Sequence, residues 1–262
     1  MLACMTVGRT LAVAMQKGGV GKTTTTINLA YEFASAALSV LVVDLDQQAH
    51  ATSGLGITVS GDDASMYEVL HVERSERVPL REVIKKTAFG FDIAPATLAL
   101  RSLDAGLGPG GQARLARQLE QTDGYDVVLI DCPPALGELT IAALAAADDV
   151  IAAVTPGDFE LDAMRKLGNA VLDVQESLNQ RVDIRHVLIT RYDGRNMLDK
   201  NVRERIRADW PDEYLGEIRL RVRVGEAIAR QIPVALHDPT GDATTDYRRV
   251  AATIAERINA SV

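Results

Sequence analysis

The sequence predicts an α/β fold, a doubly wound and mostly parallel sheet with helices on both faces. Six short runs rich in Val, Ile and Leu are spread over the chain, and helical patterns lie between them. Near-continuous apolar strands are expected where a parallel sheet is covered on both faces, and alternation of strands with helices is typical of that architecture. No linker or low-complexity stretch divides the 262 residues, so we expect a single domain over residues 1–262, with residues 1–9 as a short tail.

The individual elements follow from apolar periodicity and from the Gly, Pro and Asp residues that bound each run. The predicted strands are Leu11–Met15, Val40–Val43, Phe91–Ala94, Val127–Ile130, Val150–Val154 and His186–Thr190. The predicted helices are Thr24–Ala36, Ala113–Gln121, Glu138–Ala146, Glu160–Leu178, Met197–Ala208 and Thr244–Ile258. Short surface helices are expected in Gly56–Lys86, and the glycine-rich segment Leu103–Gln112 is expected to be a loop.

Bulk composition argues against several classes of protein. The formal net charge of −8 disfavours a protein that coats DNA with its whole surface, although arginines gather between Arg181 and Arg230. Two cysteines, Cys4 and Cys132, are too few for a disulfide framework, which favours the reducing cytoplasm. No apolar run approaches the roughly 20 residues of a membrane span, no signal peptide is visible, and Met5 is an alternative start.

Residues Gln16–Thr24, with the sequence QKGGVGKTT, follow a predicted strand and open a predicted helix. The glycines allow the backbone to curl so that several N–H groups face one anion, and the helix adds its positive N-terminal end. This is the context of a P-loop, in which Lys22 reaches the β- and γ-phosphates and Thr23 binds Mg²⁺. The pattern therefore predicts a P-loop NTPase.

The loop departs from the standard motif at its start. Gln16 stands where the first glycine is usual, and a second lysine, Lys17, precedes the pair Gly18-Gly19. In a face-to-face dimer this lysine could cross the interface and touch the phosphates of the other subunit. ATP would then be shared between two chains, and dimerisation would depend on the γ-phosphate.

Carboxylates follow two other predicted strands. Asp44 and Asp46 end one strand, and Asp131 ends another. Ligands of open α/β sheets bind beyond the carboxyl ends of the strands, and Mg²⁺ prefers oxygen ligands. Asp131 is therefore interpreted as a Walker-B-type acid, Asp44 as a second metal candidate, and Asp46 as the group that orients or deprotonates the attacking water. Taken singly, each aspartate is better explained as a helix cap or a turn residue, but three of them beside a pair of P-loop lysines favour the metal site.

Three motifs stand in order, QKGGVGKTTTTINLA, VLVVDLDQQAHATSGLG and YDVVLIDCPPALGELTIAAL, and together they resemble the ParA/Soj family of the MinD/ParA class of ATPases. The resemblance continues in FDIAPATLAL, VLITRYDGRNML and GEAIARQIPVALHDPTGDATTDYRRVA, and so covers nearly the whole chain. It implies a weak, partner-stimulated ATPase with ATP and Mg²⁺ as cofactors. It also implies an ATP-dependent homodimer, non-specific DNA and a ParB-like centromere-binding protein as partners, and a cytoplasmic, nucleoid-associated location.

The resemblance also assigns roles to single residues. Lys17 matches the family's lysine that acts in trans, and the implied catalytic residues are Lys17, Lys22 and Asp46. The implied nucleotide-binding residues are Lys17, Gly18, Gly19, Val20, Gly21, Lys22, Thr23, Thr24, Asp131 and Arg191. The implied metal ligands are Thr23, Asp44 and Asp131.

Three segments depart from the family pattern. Asp46–His50, with the sequence DQQAH, stands where Asp-Pro-Gln-Gly-Asn is usual, which bears on switch rigidity and hydrolysis. VTPGDFELDA replaces a proline–glutamine–acid pattern, and Ile218–Arg221 replaces Ile-Pro-Arg-Asn in a region that often contributes to the adenine pocket.

Arginines on two predicted elements are candidates for DNA contact. Arg203, Arg205 and Arg207 lie on a predicted helix, and Arg219, Arg221 and Arg223 alternate in a segment expected to be an extended strand with all three on one face. Non-specific binding needs only such phosphate contacts and weakens steeply with salt, although a solvated, salt-bridged surface explains the same pattern. The resemblance places Arg223 at a DNA-binding arginine, and the predicted DNA contacts are Arg203, Arg221 and Arg223.

Two other functions remain open on the sequence. A MinD-like switch acting at a membrane or on a protein cargo would need an amphipathic membrane helix. The C-terminal segment DYRRVAATIAERINASV is poor in large apolar residues and is predicted to dock on the protein instead, so no membrane is expected. A reductase or metal-cluster carrier is disfavoured because paired cysteines are absent from the sequence.

Overall fold

The computed structural model describes residues 8–157 and 160–260. Residues 1–7 of the expected tail, with Cys4 and Met5, lie outside the described part, as do Asp158 and Phe159. The strands are β1 (Arg9–Ala14), β2 (Val40–Asp44), β3 (Lys85–Lys86), β4 (Asp92–Ala94), β5 (Val127–Asp131), β6 (Asp149–Val154), β7 (Asp183–Tyr192) and β8 (Tyr214–Arg219). They form one sheet, which confirms the predicted fold class.

The strand order creates a crevice at one end of this sheet. The order is β3-β4-β2-β5-β1-β6-β7-β8, and the neighbours pair in parallel except for β3 with β4. The chain moves outwards through β2 and β4, returns to place β5 beside β1, and then continues on the other side through β6. Ligands bind at such a reversal, beyond the carboxyl ends of the strands.

Helices cover the sheet in two groups that both contact β1. The helices are α1 (Lys22–Ser35), α2 (His50–Gly54), α3 (Met66–Val69), α4 (Leu80–Val83), α5 (Arg114–Leu119), α6 (Glu138–Ala146), α7 (Glu160–Ser177), α8 (Met197–Asp209), α9 (Val222–Ala229), α10 (Val234–His237) and α11 (Asp242–Ala260). Helix α1 packs against α11, and α6 packs against α5 and α7. All residues of β2 and β5 are buried between these layers, which explains their continuous apolar sequence.

Helix α11 confirms the predicted docking helix. Its apolar residues Tyr247, Val250, Ile254 and Ile258 are buried, and the helix contacts both α1 and β8. Burial of each such side chain contributes about 1.5–3 kcal/mol, so the apolar face of this helix is already used in the fold. Within the part of the chain that the structure describes, no helix has both the length and the apolar character needed to cross a membrane.

The end of the sheet opposite the crevice is held by ion pairs. Arg9 at the start of β1 donates from Nε and Nη2 to the two carboxylate oxygens of Asp149, both at 3.1 Å. Asp149 begins β6, is 2% exposed, and also lies 3.2 Å from Nε of Arg185 in β7. Burial acts to raise the pKa of Asp149, but the hydrogen bonds and charge of Arg9, with the His186 ring 3.9 Å away, outweigh it and lower the pKa. These contacts tie the N-terminal ends of three adjacent strands together.

Some predicted elements differ from the structure. The six predicted strands are present, whereas β3 and β8 were missed because the first is two lysines and the second contains Gly216 at φ 109°. The short helices predicted within Gly56–Lys86 exist as α3 and α4, but they are anchored by the fully buried Met66 and Leu80 and do not lie only on the surface. The predicted loop Leu103–Gln112 contains no regular element.

The prediction that three alternating arginines lie on one extended segment is wrong. Strand β8 ends at Arg219, Arg221 precedes the first turn of a helix, and Arg223 lies within that helix, α9. The side chains therefore cannot share a strand face. Alternation of arginine with leucine and valine imitated a strand, because the alternating residues run from the end of β8 across the junction into the first turn of α9.

Candidate functional site

The loop between β1 and α1 presents an open surface of backbone donors. Gly19 and Gly21 have φ of 72° and 82°, a region that glycine adopts readily. A Cβ atom placed on Gly18 or Gly19 would meet nothing within 4 Å, so this side of the loop is empty. No side chain caps the start of α1 among the described residues, and the first N–H groups of a helix have no partner inside it. The loop is thus shaped to receive an anion such as a phosphate.

The two lysines of the loop face different environments. Lys22 is 6% exposed, and its Nζ donates to the backbone oxygen of Lys17 at 3.2 Å. Burial lowers the pKa of Lys22, against the attraction of Asp131. Lys17 is exposed and forms no ion pair within residues 8–157 and 160–260. Its Nζ lies 3.4 Å from the position that a Cβ atom of Gly157 would take, so it rests on the bare backbone after β6.

The predicted metal ligands come together at the ends of adjacent strands. Asp44 of β2 pairs in register with Asp131 of β5, and both are fully buried. Thr23 donates its hydroxyl to Asp131 Oδ2 at 2.7 Å, and Thr26 donates to Asp131 Oδ1 at 3.4 Å. The hydroxyl proton of Thr23 is committed to Asp131, which leaves the lone pairs of the oxygen free for a cation.

The second carboxylate is held by the turn that follows its own strand. Asp44 Oδ2 accepts hydrogen bonds from the backbone N–H and the hydroxyl of Thr52, at 2.8 and 2.7 Å, and Oδ1 accepts from the N–H of Asp46 at 3.1 Å. The Thr52 hydroxyl in turn accepts from the N–H of Ala96 at 2.9 Å. Sequence reasoning missed Thr52, although it lies within the motif VLVVDLDQQAHATSGLG. These bonds fix Asp44 in one orientation beside Asp131.

The site gathers more buried carboxyl groups than cations. Burial raises the pKa of Asp131 to about 8, and the neighbouring charge of Asp44 adds to the shift. Burial likewise raises the pKa of Asp44 to about 6, against hydrogen bonds from Thr52. Lys22 is the one cation among the causes of either shift, so a divalent cation would compensate this cluster.

The donor set fits Mg²⁺ bound together with phosphate and water. Within the described residues, no group of three or more His, Cys, Asp or Glu side chains could hold a metal by itself. Mg²⁺ usually takes one or two protein oxygens and completes its octahedron with waters and phosphate oxygens. Thr23 and Asp131, with Asp44 behind them, supply oxygens of this kind next to the phosphate loop. The bound ion would supply charge for the phosphates, and these residues would orient it.

Asp46 lies at the mouth of the site and begins the segment that departs from the family pattern. It is 6% exposed, and its Oδ1 accepts from the N–H of Gln48 at 2.9 Å. Ala49 follows in the left-handed region at φ 51°, at the position where the family usually has glycine. An alanine there is strained by about 1–2 kcal/mol, so the turn after Asp46 stores energy. The role of Asp46 in hydrolysis stays a prediction.

The end of β7 contacts the phosphate loop from outside. Thr190 is 2% exposed and donates its hydroxyl to the backbone oxygen of Val20 at 2.6 Å. Arg191, predicted as a nucleotide ligand, donates from Nη1 to the backbone oxygen of Gly19 at 3.3 Å. Its contact with a nucleotide stays a prediction. Sequence reasoning missed Thr190, because the bond joins residues 170 positions apart and leaves no local pattern.

The three predicted DNA-binding arginines each have an acidic partner and lie on different elements. Arg203 of α8 pairs with Glu204 at 2.8 Å and with Glu217 at 3.6 Å. Arg221 pairs with Asp242 at 2.5 Å, and Arg223 of α9 pairs with Glu226 at 2.8 Å. Asp242 also binds Arg219, and Glu226 also accepts from His237 at 2.7 Å. In this state of the protein the three guanidinium charges are neutralised locally.

Comparison with known proteins agrees with the geometry. A family model described as an AAA domain matches residues 8–184. Over 95% of the chain, the sequence is 38% identical to the sporulation initiation inhibitor protein Soj of Bacillus subtilis, with 98% of that protein covered. It is 37% identical to the chromosome-partitioning ATPase Soj of Thermus thermophilus, over 95% of this chain and 96% of that one.

A solved structure shares both the fold and part of the sequence. The cobyrinic acid a,c-diamide synthase of Mycobacterium smegmatis, with a bound ATP analogue and magnesium, superposes with a TM-score of 0.83. The identity is 29%, and the match covers 98% of both chains. The two Soj proteins are more similar in sequence than this synthase, and each match covers 95% of this chain. The chain therefore belongs to the Soj/ParA family of partition ATPases.

Proposed function

We propose that this ATPase segregates DNA by switching between two states. ATP and Mg²⁺ occupy the loop at the end of β1, and two ATP-bound copies join face to face. The dimer holds DNA without sequence preference, and weak hydrolysis, stimulated by a ParB-like centromere-binding protein, releases it. The protein then works in the cytoplasm on the nucleoid. The relative named as a chromosome-partitioning ATPase, the Soj protein of Thermus thermophilus at 37% identity, supports this cargo.

The observation that carries the proposal is the opposite placement of the two lysines. Lys22 is buried against its own loop, where it serves the phosphates of its own subunit. Lys17 is exposed on the same loop and has no ion-pair partner among the described residues. An exposed ammonium beside a phosphate site is available to the triphosphate of a second subunit. Dimerisation then depends on ATP, because the γ-phosphate completes the contact.

The ion pairs of the three arginines indicate how DNA would be held. Exposed ion pairs contribute about 1 kcal/mol or less, so DNA phosphates can replace the acidic partners of Arg203, Arg221 and Arg223 at small cost. Each arginine that changes from a carboxylate to a phosphate releases a counterion from the DNA. Binding then falls steeply with salt and carries no base specificity.

Two features argue against the other functions that the sequence left open. A membrane switch of the MinD kind needs a free amphipathic helix, whereas the apolar face of α11 is buried on α1 and β8. A metal-cluster carrier needs accessible thiols, and the one cysteine among the described residues, Cys132, is fully buried with its pKa raised by desolvation. The partition function instead uses Lys17 and the paired arginines.

Sedimentation velocity with Lys17→Ala tests the trans contact. The wild-type protein is expected to form dimers with Mg²⁺ and a non-hydrolysable ATP analogue, and Lys17→Ala is expected to bind the analogue but stay monomeric. Lys86→Ala is the control for loss of an exposed ammonium group, because Lys86 is 87% exposed at the far edge of the sheet, where it pairs with Asp92. Equal dimerisation of wild type and Lys17→Ala would remove the basis of the proposal.

A salt titration of DNA binding tests the arginines. Arg223→Ala is expected to lower the slope of log K against log salt by about 1 and to weaken binding equally for all DNA sequences. Arg165→Ala, on α7 and paired with Asp162, is the control for loss of an exposed, ion-paired arginine. Identical slopes for the two variants would exclude Arg223 from the DNA contact.

A further inference from the structure

Two consecutive residues at the end of β7 donate hydrogen bonds to two consecutive carbonyl groups of the phosphate loop. Thr190 donates to the oxygen of Val20 at 2.6 Å, and Arg191 donates to the oxygen of Gly19 at 3.3 Å. The Thr190 hydroxyl also lies 2.9 Å from that of Thr155, which follows β6 and reaches the same Val20 oxygen at 3.4 Å. The outer side of the loop is therefore tied to the ends of two strands.

An irregularity of β7 makes this contact possible. Ile189 pairs with Glu217 and Tyr192 pairs with Arg219, so β7 uses three steps where β8 uses two. The extra residue lies within Thr190–Arg191, and Arg191 takes the left-handed conformation at φ 54°. A bulge of this kind re-aims side chains and is frequent beside functional sites. A strained conformation at a non-glycine residue persists only where its surroundings impose it.

Because the peptide bond is planar, these contacts also determine where the backbone N–H groups of the loop point. In a trans peptide, the C=O of one residue and the N–H of the next point in opposite directions. Since the carbonyl of Val20 points at Thr190, the N–H of Gly21 points away from β7. Since the carbonyl of Gly19 points at Arg191, the N–H of Val20 points away from it as well. Both amides are turned from the outer side of the loop towards its open side.

We propose that Thr190 is a positioning residue of the ATPase site, which orients the Gly21 amide towards phosphate by holding the Val20 carbonyl. Its hydroxyl acts through the backbone and touches no nucleotide atom. Without it, the Val20 carbonyl keeps only the longer bond from Thr155, and the peptide is free to rotate. Rotation removes a donor from the phosphate and presents a carbonyl oxygen to it. The proposal concerns nucleotide binding alone and does not depend on dimerisation or DNA.

Calorimetric titration with Mg-ADP tests this role in three variants of the full chain. Thr190→Val keeps the shape of the side chain and removes the donor, and we expect ADP to bind about tenfold more weakly, the loss of one strong hydrogen bond. Thr190→Ala removes the same donor without steric demand, so an unfolded valine variant leaves the test intact. Thr190→Ser keeps the hydroxyl and is expected to bind ADP within about twofold of wild type.

Urea denaturation without nucleotide separates this role from a purely structural one. If Thr190→Val and Thr190→Ala lose stability but bind ADP like wild type, the hydroxyl only supports the fold and the proposal is wrong. It is equally wrong if Thr190→Ser binds as weakly as Thr190→Val, because the hydroxyl is then not the group that acts. Weak binding by both donor-free variants, rescued by serine, supports the proposal.

Discussion

Replacement of Asp131 by asparagine is expected to stabilise the nucleotide-free protein as the pH rises. Asp131 is fully buried beside Asp44, and burial raises its pKa from 3.8 to about 8. A carboxyl group with a raised pKa in the folded state stabilises the fold below its unfolded pKa and loses that contribution as the pH rises to the folded pKa. The wild-type protein therefore loses about 1.4 kcal/mol per pH unit through this group between about pH 4 and pH 8.

The size of the effect follows from the width of that interval. Over the whole interval the loss is on the order of 5 kcal/mol, and asparagine, which does not titrate, avoids it. The amide matches the hydrogen bonds of Thr23 and Thr26 less well than a carboxyl group, which costs about 1–3 kcal/mol. We therefore expect Asp131→Asn to be more stable than wild type by about 2 kcal/mol or more at pH 8, with the advantage gone at pH 5.

Urea denaturation at pH 5, 6, 7 and 8, with a chelator and without nucleotide, measures this difference. Asp149→Asn is the control at the other end of the sheet, because Asp149 is also buried but its pKa is lowered by its partners, Arg9 among them. A lowered pKa contributes stability above the unfolded value, so this variant is expected to be less stable than wild type at all four pH values. The reasoning is refuted if Asp131→Asn has no advantage at pH 8, or if its advantage does not change with pH.

Two further substitutions test the surroundings of the site. Ala49→Gly is expected to raise the free energy of unfolding by about 1 kcal/mol, because glycine relieves the left-handed strain at φ 51°. Ala37→Gly, at φ 66° after α1, should give a similar gain, so a changed ATPase rate in Ala49→Gly alone would report on the turn after Asp46. Thr52→Val is expected to lower stability by about 2–3 kcal/mol in urea denaturation, since Asp44 loses a buried hydroxyl donor at 2.7 Å; an unchanged midpoint would show that the bond contributes nothing net.

The sheet could be predicted from the sequence wherever a strand is buried on both faces. Strands β2 and β5 consist of buried residues throughout, and their Val/Ile/Leu runs made them visible. Strand β8 mixes buried and half-buried positions at the edge of the sheet and therefore carries no continuous apolar run. The alternation of arginine with leucine and valine crosses the junction between β8 and α9, so the start of the helix was interpreted as a strand.

The site could be predicted only as far as local motifs reach. Residues at the carboxyl ends of β1, β2 and β5 stood out because glycine, lysine and aspartate are unusual directly after apolar strands. The supporting bonds join distant positions, as in Thr190 to Val20, and depend on a bulge that no sequence pattern announces. The acidic partner of Arg221 was hidden for the same reason, since Asp242 lies 21 positions away, whereas Glu204 and Glu226 are close in sequence to Arg203 and Arg223.

The ion pairs among Arg9, Asp149 and Arg185 sit on the strand starts, a full strand length from every group that handles phosphate. Residues that stabilise the fold and residues that carry out the chemistry therefore lie at opposite ends of the same sheet. Substitutions that raise heat tolerance, or a dye that reports assembly, can therefore be placed at the strand starts without disturbing the nucleotide site. Natural selection can likewise change the stability of the protein to acid or heat at the strand starts while the catalytic residues stay unchanged.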